Sequence, residues 1–505
     1  MKSHQVLSGL GWSASATVVS ALGQIVFVAV LARLLDPAAF GLMAMASLSL
    51  RFAGVFSQGG FSQALVQQQS LKREETSAAF FLTLMISSSL YLLIALAAPL
   101  FAQGLRSPEL TALIQVLGGS LVLGSMASLP LALLRRQARF KRVAAIELFS
   151  FIVGYGAVGM ACASQGMGVW SLVAAALCQQ ALLLLLGFGS VRYPLTWRVT
   201  RSTCGRVWLF GSRYTVVGFL EFLFSNLESF FIGRQFGKAA LGSYNRALML
   251  TTLPIEVAVS AVTKVLFPAL ATLQNEPRRM ADGFQILLLA VGLFATALAC
   301  GIAAAADDVV LLLLGSKWID TAPLVSLLAF AVPLAFMYTA CGVTLDSLAA
   351  LKPKLKLQAA SLLAKLILVL WMAQWGLMGV AAAVVLAEAL RLALGLGLLA
   401  HLLAIKPSRL VGLLALFVGL GLTVTVAVGA AATATLSVGL PLLARVAVET
   451  LMGSAALLIC LLLLTLRFPR YEPLQQFESV RRWHAHWHAS LLQALQLFQL
   501  GARRP

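Results

Sequence analysis

The chain has 505 residues, of which 60% are hydrophobic and only 11% charged, and its formal net charge is +19. One soluble domain has too little interior for that much apolar surface, so lipid is the main solvent and a polytopic membrane protein is predicted. The charge lies in alternate connections between apolar runs rather than in one patch, which excludes nucleic acid as its partner.

Windows of about 20 residues predict fourteen spans: Gly11 to Leu31, Phe40 to Gly60, Ala78 to Phe101, Leu110 to Leu134, Val143 to Ala163, Gly168 to Phe188, Val207 to Ile232, Leu241 to Phe267, Phe284 to Ala305, Pro323 to Leu345, Leu357 to Ala373, Gly376 to Leu399, Leu410 to Ala431 and Pro441 to Leu464. Each must be helical, because a lipid-facing backbone satisfies its own hydrogen bonds. The fold class is an all-α membrane protein. The apolar run after Lys2 is too long for a signal-peptide core and reads as the first span. Connections on one side carry 25 of the 37 basic residues, including Lys72, Arg73, Arg278, Arg279 and the cluster Arg135, Arg136, Arg139, Lys141 and Arg142. The opposite connections carry five: Arg33, Arg106, Arg234, Lys238 and Lys317. This bias places both termini in the cytoplasm.

Ala32 to Gly41 (Ala-Arg-Leu-Leu-Asp-Pro-Ala-Ala-Phe-Gly) is a charged corner between the first two spans, and Gly233 to Gly242 (Gly-Arg-Gln-Phe-Gly-Lys-Ala-Ala-Leu-Gly) echoes it 201 residues later. A second pair of Gly-rich turns, Gln165 to Val173 and Gln374 to Val380, leads into spans six and twelve. An internal duplication accounts for both pairs. The expected domains are a six-helix bundle over 1–189, a basic linker over 190–206, a second six-helix bundle over 207–401, helices thirteen and fourteen over 402–466, and a tail over 467–505. The cluster Leu133 to Arg142 reads as a topology anchor that attracts anionic lipid, with a direct grip on substrate as the alternative. Pro254 and Pro333 are expected to kink spans eight and ten. In span fourteen Arg445 and Glu449, four residues apart, are expected to satisfy each other. Phe477, Val480, Trp483, Trp487, Leu491, Leu495 and Phe498 give the tail an amphipathic stripe for the membrane surface. His484 and His488 lack a third ligand and read as its wet edge, and the scattered cysteines have no metal spacing. Neither a metal nor another cofactor is expected.

Together, Ala32 to Gly41, Leu133 to Arg142, Gly-Met-Gly-Val-Trp-Ser-Leu-Val, Leu241 to Ala247 (Leu-Gly-Ser-Tyr-Asn-Arg-Ala) and Leu314 to Trp318 (Leu-Gly-Ser-Lys-Trp) resemble the polysaccharide-transporter, Wzx-type family of oligosaccharide-lipid flippases. That family belongs to the multidrug/oligosaccharidyl-lipid/polysaccharide exporter superfamily. The resemblance implies two six-helix bundles plus two C-terminal helices in a bacterial cytoplasmic membrane. It also implies transfer of an undecaprenyl-diphosphate-linked oligosaccharide from the inner to the outer leaflet. A polysaccharide polymerase and export machinery are the implied partners besides membrane lipids.

Ionisable groups inside spans line cavities or pair with one another. Span two carries Ser47, Arg51, Gly54 and Gln58 on one face, and span one carries Ser13, Thr17, Ser20 and Gln24. Span seven carries Arg213, Glu221, Ser225 and Glu228, and span eight carries Asn245, Arg246, Thr252, Glu256, Ser260 and Lys264. The candidate substrate-binding residues are Arg51, Arg246, Arg213, Gln24, Gln58 and Asn245, because arginine offers a fork to a diphosphate. The candidate coupling acids are Glu221, Glu228 and Glu256, with Glu221 first. The alternative is pairing among the charges themselves: Arg213 with Glu221 or Glu256, and Glu388 with Arg391. Related lipid-linked peptidoglycan-precursor flippases also place an arginine on the first helix, where this chain offers hydroxyls and Gln24, with Arg33 only at its end. Two rival functions remain. A drug or cation antiporter calls for an acid-dominated pocket in the first block, yet spans one to six contain only Glu147, near a cytoplasmic end. A membrane-embedded glycosyl ligase or polymerase calls for a large outer loop, and the longest one is Ala306 to Ala322. No ATPase-type glycine loop is present, so an ion gradient or consumption of product must drive transport.

Overall fold

The computed structural model describes residues 23–57, 73–137, 139–191, 219–271, 276–348 and 350–467, and among these every regular element is a helix. The helices are α1 (Gly23–Leu34), α2 (Pro37–Ser57), α3 (Arg73–Gly104), α4 (Leu110–Leu117), α5 (Gly119–Arg136) and α6 (Phe140–Phe151). A π-helical stretch, Ile152–Gly159, carries α6 into Met160–Ser164. There follow α7 (Val169–Ser190), α8 (219–235), α9 (Gly237–Ala271), α10 (Pro277–Ala304) and α11 (Ala306–Leu313). Last come α12 (Ala322–Leu328), α13 (Ala331–Ser347), α14 (Leu351–Met372), α15 (Gly376–Leu402), α16 (Pro407–Ser437) and α17 (Leu442–Arg467).

Among the described residues 8 helices are long and apolar enough to cross a membrane, or 9 if the broken pair of α12 and α13 counts as one span. The outer connection expected over Ala306 to Ala322 is itself folded, as α11 and the 3-10 turn Ser316–Thr321. Pro333 does not kink a running helix: the chain breaks at 329–330, and Pro333 lies in the first turn of α13, where its missing N–H is not needed. Pro254 lies inside an unbroken α9. The tail and its two histidines lie outside the described residues.

The chain forms two compact units: Met1–Val257 with Val309–Leu328 and Leu355–Ala387, and Ala258–Asp308 with Ala329–Lys354 and Glu388–Pro505. In the second unit, α10 packs against α13 and α16, and α16 against α17. The Arg391 guanidinium lies over the Tyr338 ring at 3.9 Å and 3.8 Å from Glu388, the pairing the sequence offered as an alternative. Arg445 departs from expectation. It grips Asp308 with both Nε, at 2.8 Å, and Nη2, while the buried Glu449 carboxylate has no hydrogen-bond partner among the described residues and meets Arg445 through charge alone. A bidentate guanidinium–carboxylate pair outranks a contact along one helix.

In the first unit, a cluster of Phe80, Leu129, Leu131, Leu134, Val143 and Ile146 underlies the basic segment around Arg135, which pairs with Glu147 at 2.8 Å. The two echoing corners meet here. A Cβ on Gly41 would lie 1.7 Å from the Lys238 carbonyl oxygen, and one on Gly242 would lie 2.0 Å from that of Pro37. Gly41 and Gly242 are 201 residues apart, as are Pro37 and Lys238. The starts of α2 and α9 therefore cross about a local two-fold relation, and only glycine permits so close an approach.

Further contacts brace this crossing. Arg33 donates to the Leu312 carbonyl at 2.8 Å, and Arg234 donates to that of Gly104 at 2.7 Å. Lys317 pairs with Asp36 at 3.1 Å, and Lys238 pairs with Glu109 at 2.9 Å. The buried Trp318 donates its indole N–H to the Ala32 carbonyl at 2.9 Å and meets the Phe40 ring edge to face. The motif Leu314 to Trp318 thus packs on the motif Ala32 to Gly41.

Candidate functional site

Immediately beyond the crossing, α2, α8 and α9 and the π-helical stretch after α6 enclose a cavity of about 500 Å³, all within the first unit. Its size is that of a small-molecule site. Ser47 and Arg51, one turn apart on α2, line it, as do Asn245, Arg246, Thr252 and Glu256 on α9. The motif Leu241 to Ala247 explains the arrangement. Gly242 makes the crossing, Tyr244 is buried toward α8, and Asn245 and Arg246, on the next part of the turn, face the cavity.

Among the described residues neither Arg51 nor Arg246 forms an ion pair. The Arg246 guanidinium lies 4.5 Å from the centre of the Phe40 ring, its Nη1 is 3.2 Å from the Met249 sulfur, and its buried Nε has no partner. The ring holds the charge in place without neutralising it. With Glu256 as the acid on the wall, the cavity has two cations against one anion. Such a site attracts an anion, which the guanidinium forks can grip with several donors.

The coupling acids separate. Glu256 faces the cavity, whereas Glu221 and Glu228 face α14. Gln358 donates to Glu221 at 3.0 Å. Lys365 is buried at 1% exposure, 2.7 Å from the Glu228 carboxylate, and donates to the Phe224 carbonyl at 2.5 Å. Tyr244 adds a hydroxyl to Glu228 at 3.4 Å. Lys365 was not among the sequence candidates, although a lysine in the apolar run of span eleven was the available signal. Gln24 is not among the cavity's lining residues, and Arg213 and Gln58 lie outside the described residues.

Three further polar lining residues escaped the sequence reading: Tyr155, Asn226 and Ser229. On α8 the expected polar arc was that of Glu221 and Glu228. Asn226 and Ser229 lie on a neighbouring face, and it is that face which meets the cavity.

Comparison with known proteins gives the following. A family model described as "Polysaccharide biosynthesis protein" matches residues 30–323. The lipopolysaccharide biosynthesis protein WzxC of Escherichia coli is 24% identical over 326 residues, 64% of this chain and 66% of that protein. The succinoglycan biosynthesis transport protein ExoT of Rhizobium meliloti is 27% identical over 329 residues, 65% and 66% of the two chains. The matches thus span about two thirds of these relatives' length. Among solved structures, lipid II flippase MurJ in an inward closed conformation superposes with a TM-score of 0.68 at 12% identity, over 89% of this chain and 97% of that one.

Proposed function

The chain belongs to the polysaccharide biosynthesis protein family, and from that premise we propose that it is a flippase. It carries an undecaprenyl-diphosphate-linked oligosaccharide from the inner to the outer leaflet of a bacterial cytoplasmic membrane, with both termini cytoplasmic, by alternating access. It is a transporter and not an enzyme. The observation that carries this reading is the cavity with two arginines that no described carboxylate neutralises, one on each of the helices that cross at the repeat's local axis. Repeat transporters hold their substrates between such helices.

The chemistry follows from the lining. A diphosphate entering this cavity loses water and needs charge-assisted donors in return, which Arg51 and Arg246 supply. Glu256 shares the cavity with them and is the acid placed to sense an occupied site, so it becomes the leading coupling group. Its contacts can then differ between the two ends of the transport cycle, the condition for an ion gradient to bias reorientation. A polymerase and an export assembly consume the product on the outer side.

The test is Arg51→Ala, scored by polysaccharide export in cells whose only copy is the variant, with membrane level checked by immunoblot. Loss of a charged multi-donor contact is expected to weaken substrate binding by roughly 10²-fold and to abolish export. Arg51→Lys should restore little, since a point charge lacks the fork. Full export in the alanine variant would remove the cavity from the transport path.

A further inference from the structure

The cavity's wall carries neutral amides as well as guanidinium groups. Asn226 donates its side-chain N–H to the Phe222 carbonyl at 2.9 Å, and Asn245 donates its own to the Leu241 carbonyl at 3.0 Å. A backbone carbonyl only accepts, so in each case one of the amide's two N–H groups is committed to its own helix, and the second N–H and the Oδ1 acceptor are left over. Both residues line the cavity, and no described residue donates to either oxygen. Donors on Arg51 and Arg246 therefore share one cavity with two acceptors on Asn226 and Asn245.

Tyr155 completes this second set. It lies in the π-helical stretch, a distortion that often marks a functional position. Its ring stacks on Phe151 at 5.2 Å, and Phe151 in turn meets Phe27 edge to face at 5.4 Å. The flanking glycines hold the stretch in place: a Cβ on Gly154 would lie 2.8 Å from the Ala175 carbonyl, and one on Gly156 would lie 2.7 Å from the Phe27 ring. The Tyr155 hydroxyl has no hydrogen-bond partner among the described residues. A braced aromatic ring beside free acceptors suits a ligand with an apolar face and a rim of hydroxyl donors.

We propose that Tyr155, Asn226 and Asn245 form a subsite for the sugar attached to the diphosphate, while Arg51 and Arg246 hold the diphosphate itself. The inference rests on the flippase reading and assigns its substrate specificity to the neutral side chains beside the arginines. The two oxygens accept hydroxyl protons, and the ring covers the C–H face of the pyranose. A bare lipid diphosphate offers the two Oδ1 acceptors no hydroxyl, which disfavours it relative to the glycosylated lipid.

The experiment uses the full chain in nanodiscs and two kinds of probe: undecaprenyl diphosphate, and the same lipid bearing one glucose or one galactose. The wild type is expected to bind at least one glycosylated lipid about tenfold more tightly than the bare one, the worth of one to two hydrogen bonds. Asn226→Leu and Tyr155→Ala should erase that preference, lowering affinity for the glycosylated lipid more than for bare diphosphate, and Tyr155→Phe should keep most of it. If Tyr155→Ala fails to fold, Asn226→Leu and Asn245→Leu decide. Equal losses for both kinds of lipid, or no preference in the wild type, would overturn the subsite. The flippase reading would then still stand on Arg51→Ala losing both lipids. A wild type that binds neither kind of lipid would overturn both.

Discussion

A buried ion pair is stable only while both halves are present. Lys365 and Glu228, at 1% and 4% side-chain exposure, join α14 to α8, and neither has water to fall back on. Removing one partner leaves the other charge uncompensated at a cost of about 3–5 kcal/mol, whereas replacing both with apolar residues of similar size costs far less. Glu228→Ala and Lys365→Met are each expected to lower the melting temperature of the detergent-purified protein sharply, and Lys365→Met combined with Glu228→Leu to recover most of it. A double variant no better than either single one would mean that the pair does not hold these helices together. These residues also mark how far side-chain roles were legible. Helical spacing put Glu221 and Glu228 on one arc, and they share one, but spacing cannot say which neighbour an arc meets. Here it meets Gln358 and Lys365. Arg445 taught the same at greater range, since the partner that displaced Glu449 lies 137 residues away in the chain. Arg51, Arg246, Asn245 and Glu256 were legible because polar residues inside a span have few places to go besides a cavity.

At the scale of elements, the crossing of α2 and α9 depends on two hydrogen atoms. An alanine methyl at Gly41 or Gly242 would overlap a backbone carbonyl of the opposite corner, and backbone cannot swing aside as a side chain does. Overpacking of this kind costs about 1–3 kcal/mol or more. Gly41→Ala and Gly242→Ala are each expected to destabilise by at least that much and to depress export. By contrast, Gly429→Ala in α16, with nothing within 4 Å of the added methyl, should be neutral or should stabilise by about 0.5–1 kcal/mol. Parallel thermal melts of the three variants check this, and a Gly41→Ala protein as stable as Gly429→Ala would mean that the corners do not meet as described. The sequence offered both glycines as matching positions of an echo, so the relation between the corners was readable. That they touch was not. The folding of Ala306 to Ala322 into a short helix and a 3-10 turn was also hidden. A short stretch with two aspartates and six apolar residues does not reveal that it will cover a corner, and the contacts of Arg33 and Asp36 with Leu312 and Lys317 span about 280 residues of chain.

For the whole molecule the open question is orientation, and the crossing sharpens it. The positive-inside bias had five exceptions, and four of them now have local work. Arg33 and Arg234 cap the carbonyls of Leu312 and Gly104, and Lys238 and Lys317 pair with Glu109 and Asp36. Basic residues recruited as caps and ion-pair partners say little about topology. With them set aside, and Arg135, Arg279 and Lys354 set aside likewise for their ion pairs with Glu147, Glu276 and Asp346, the bias rests on the remainder of the 25 residues of the other connections and is still nearly one-sided. We therefore propose that the crossed corners face outward and that Gln137, at the C-cap of α5 beside Arg135 and Arg136, faces the cytoplasm. Both positions are single-residue targets. In a background with the six native cysteines replaced, Gln137→Cys is expected to resist an impermeant thiol reagent in intact cells and to react once the membrane is permeabilised. Lys238→Cys, partly exposed and held only by an ion pair of the kind worth about 0–1 kcal/mol, should react in both conditions. The permeabilised sample separates shielding by lipid from burial in protein, since a buried thiol stays silent in both. Labelling of Gln137→Cys in intact cells, with Lys238→Cys silent until permeabilisation, would invert the molecule. The direction of transport would invert with it, because the cavity would then load from the opposite leaflet.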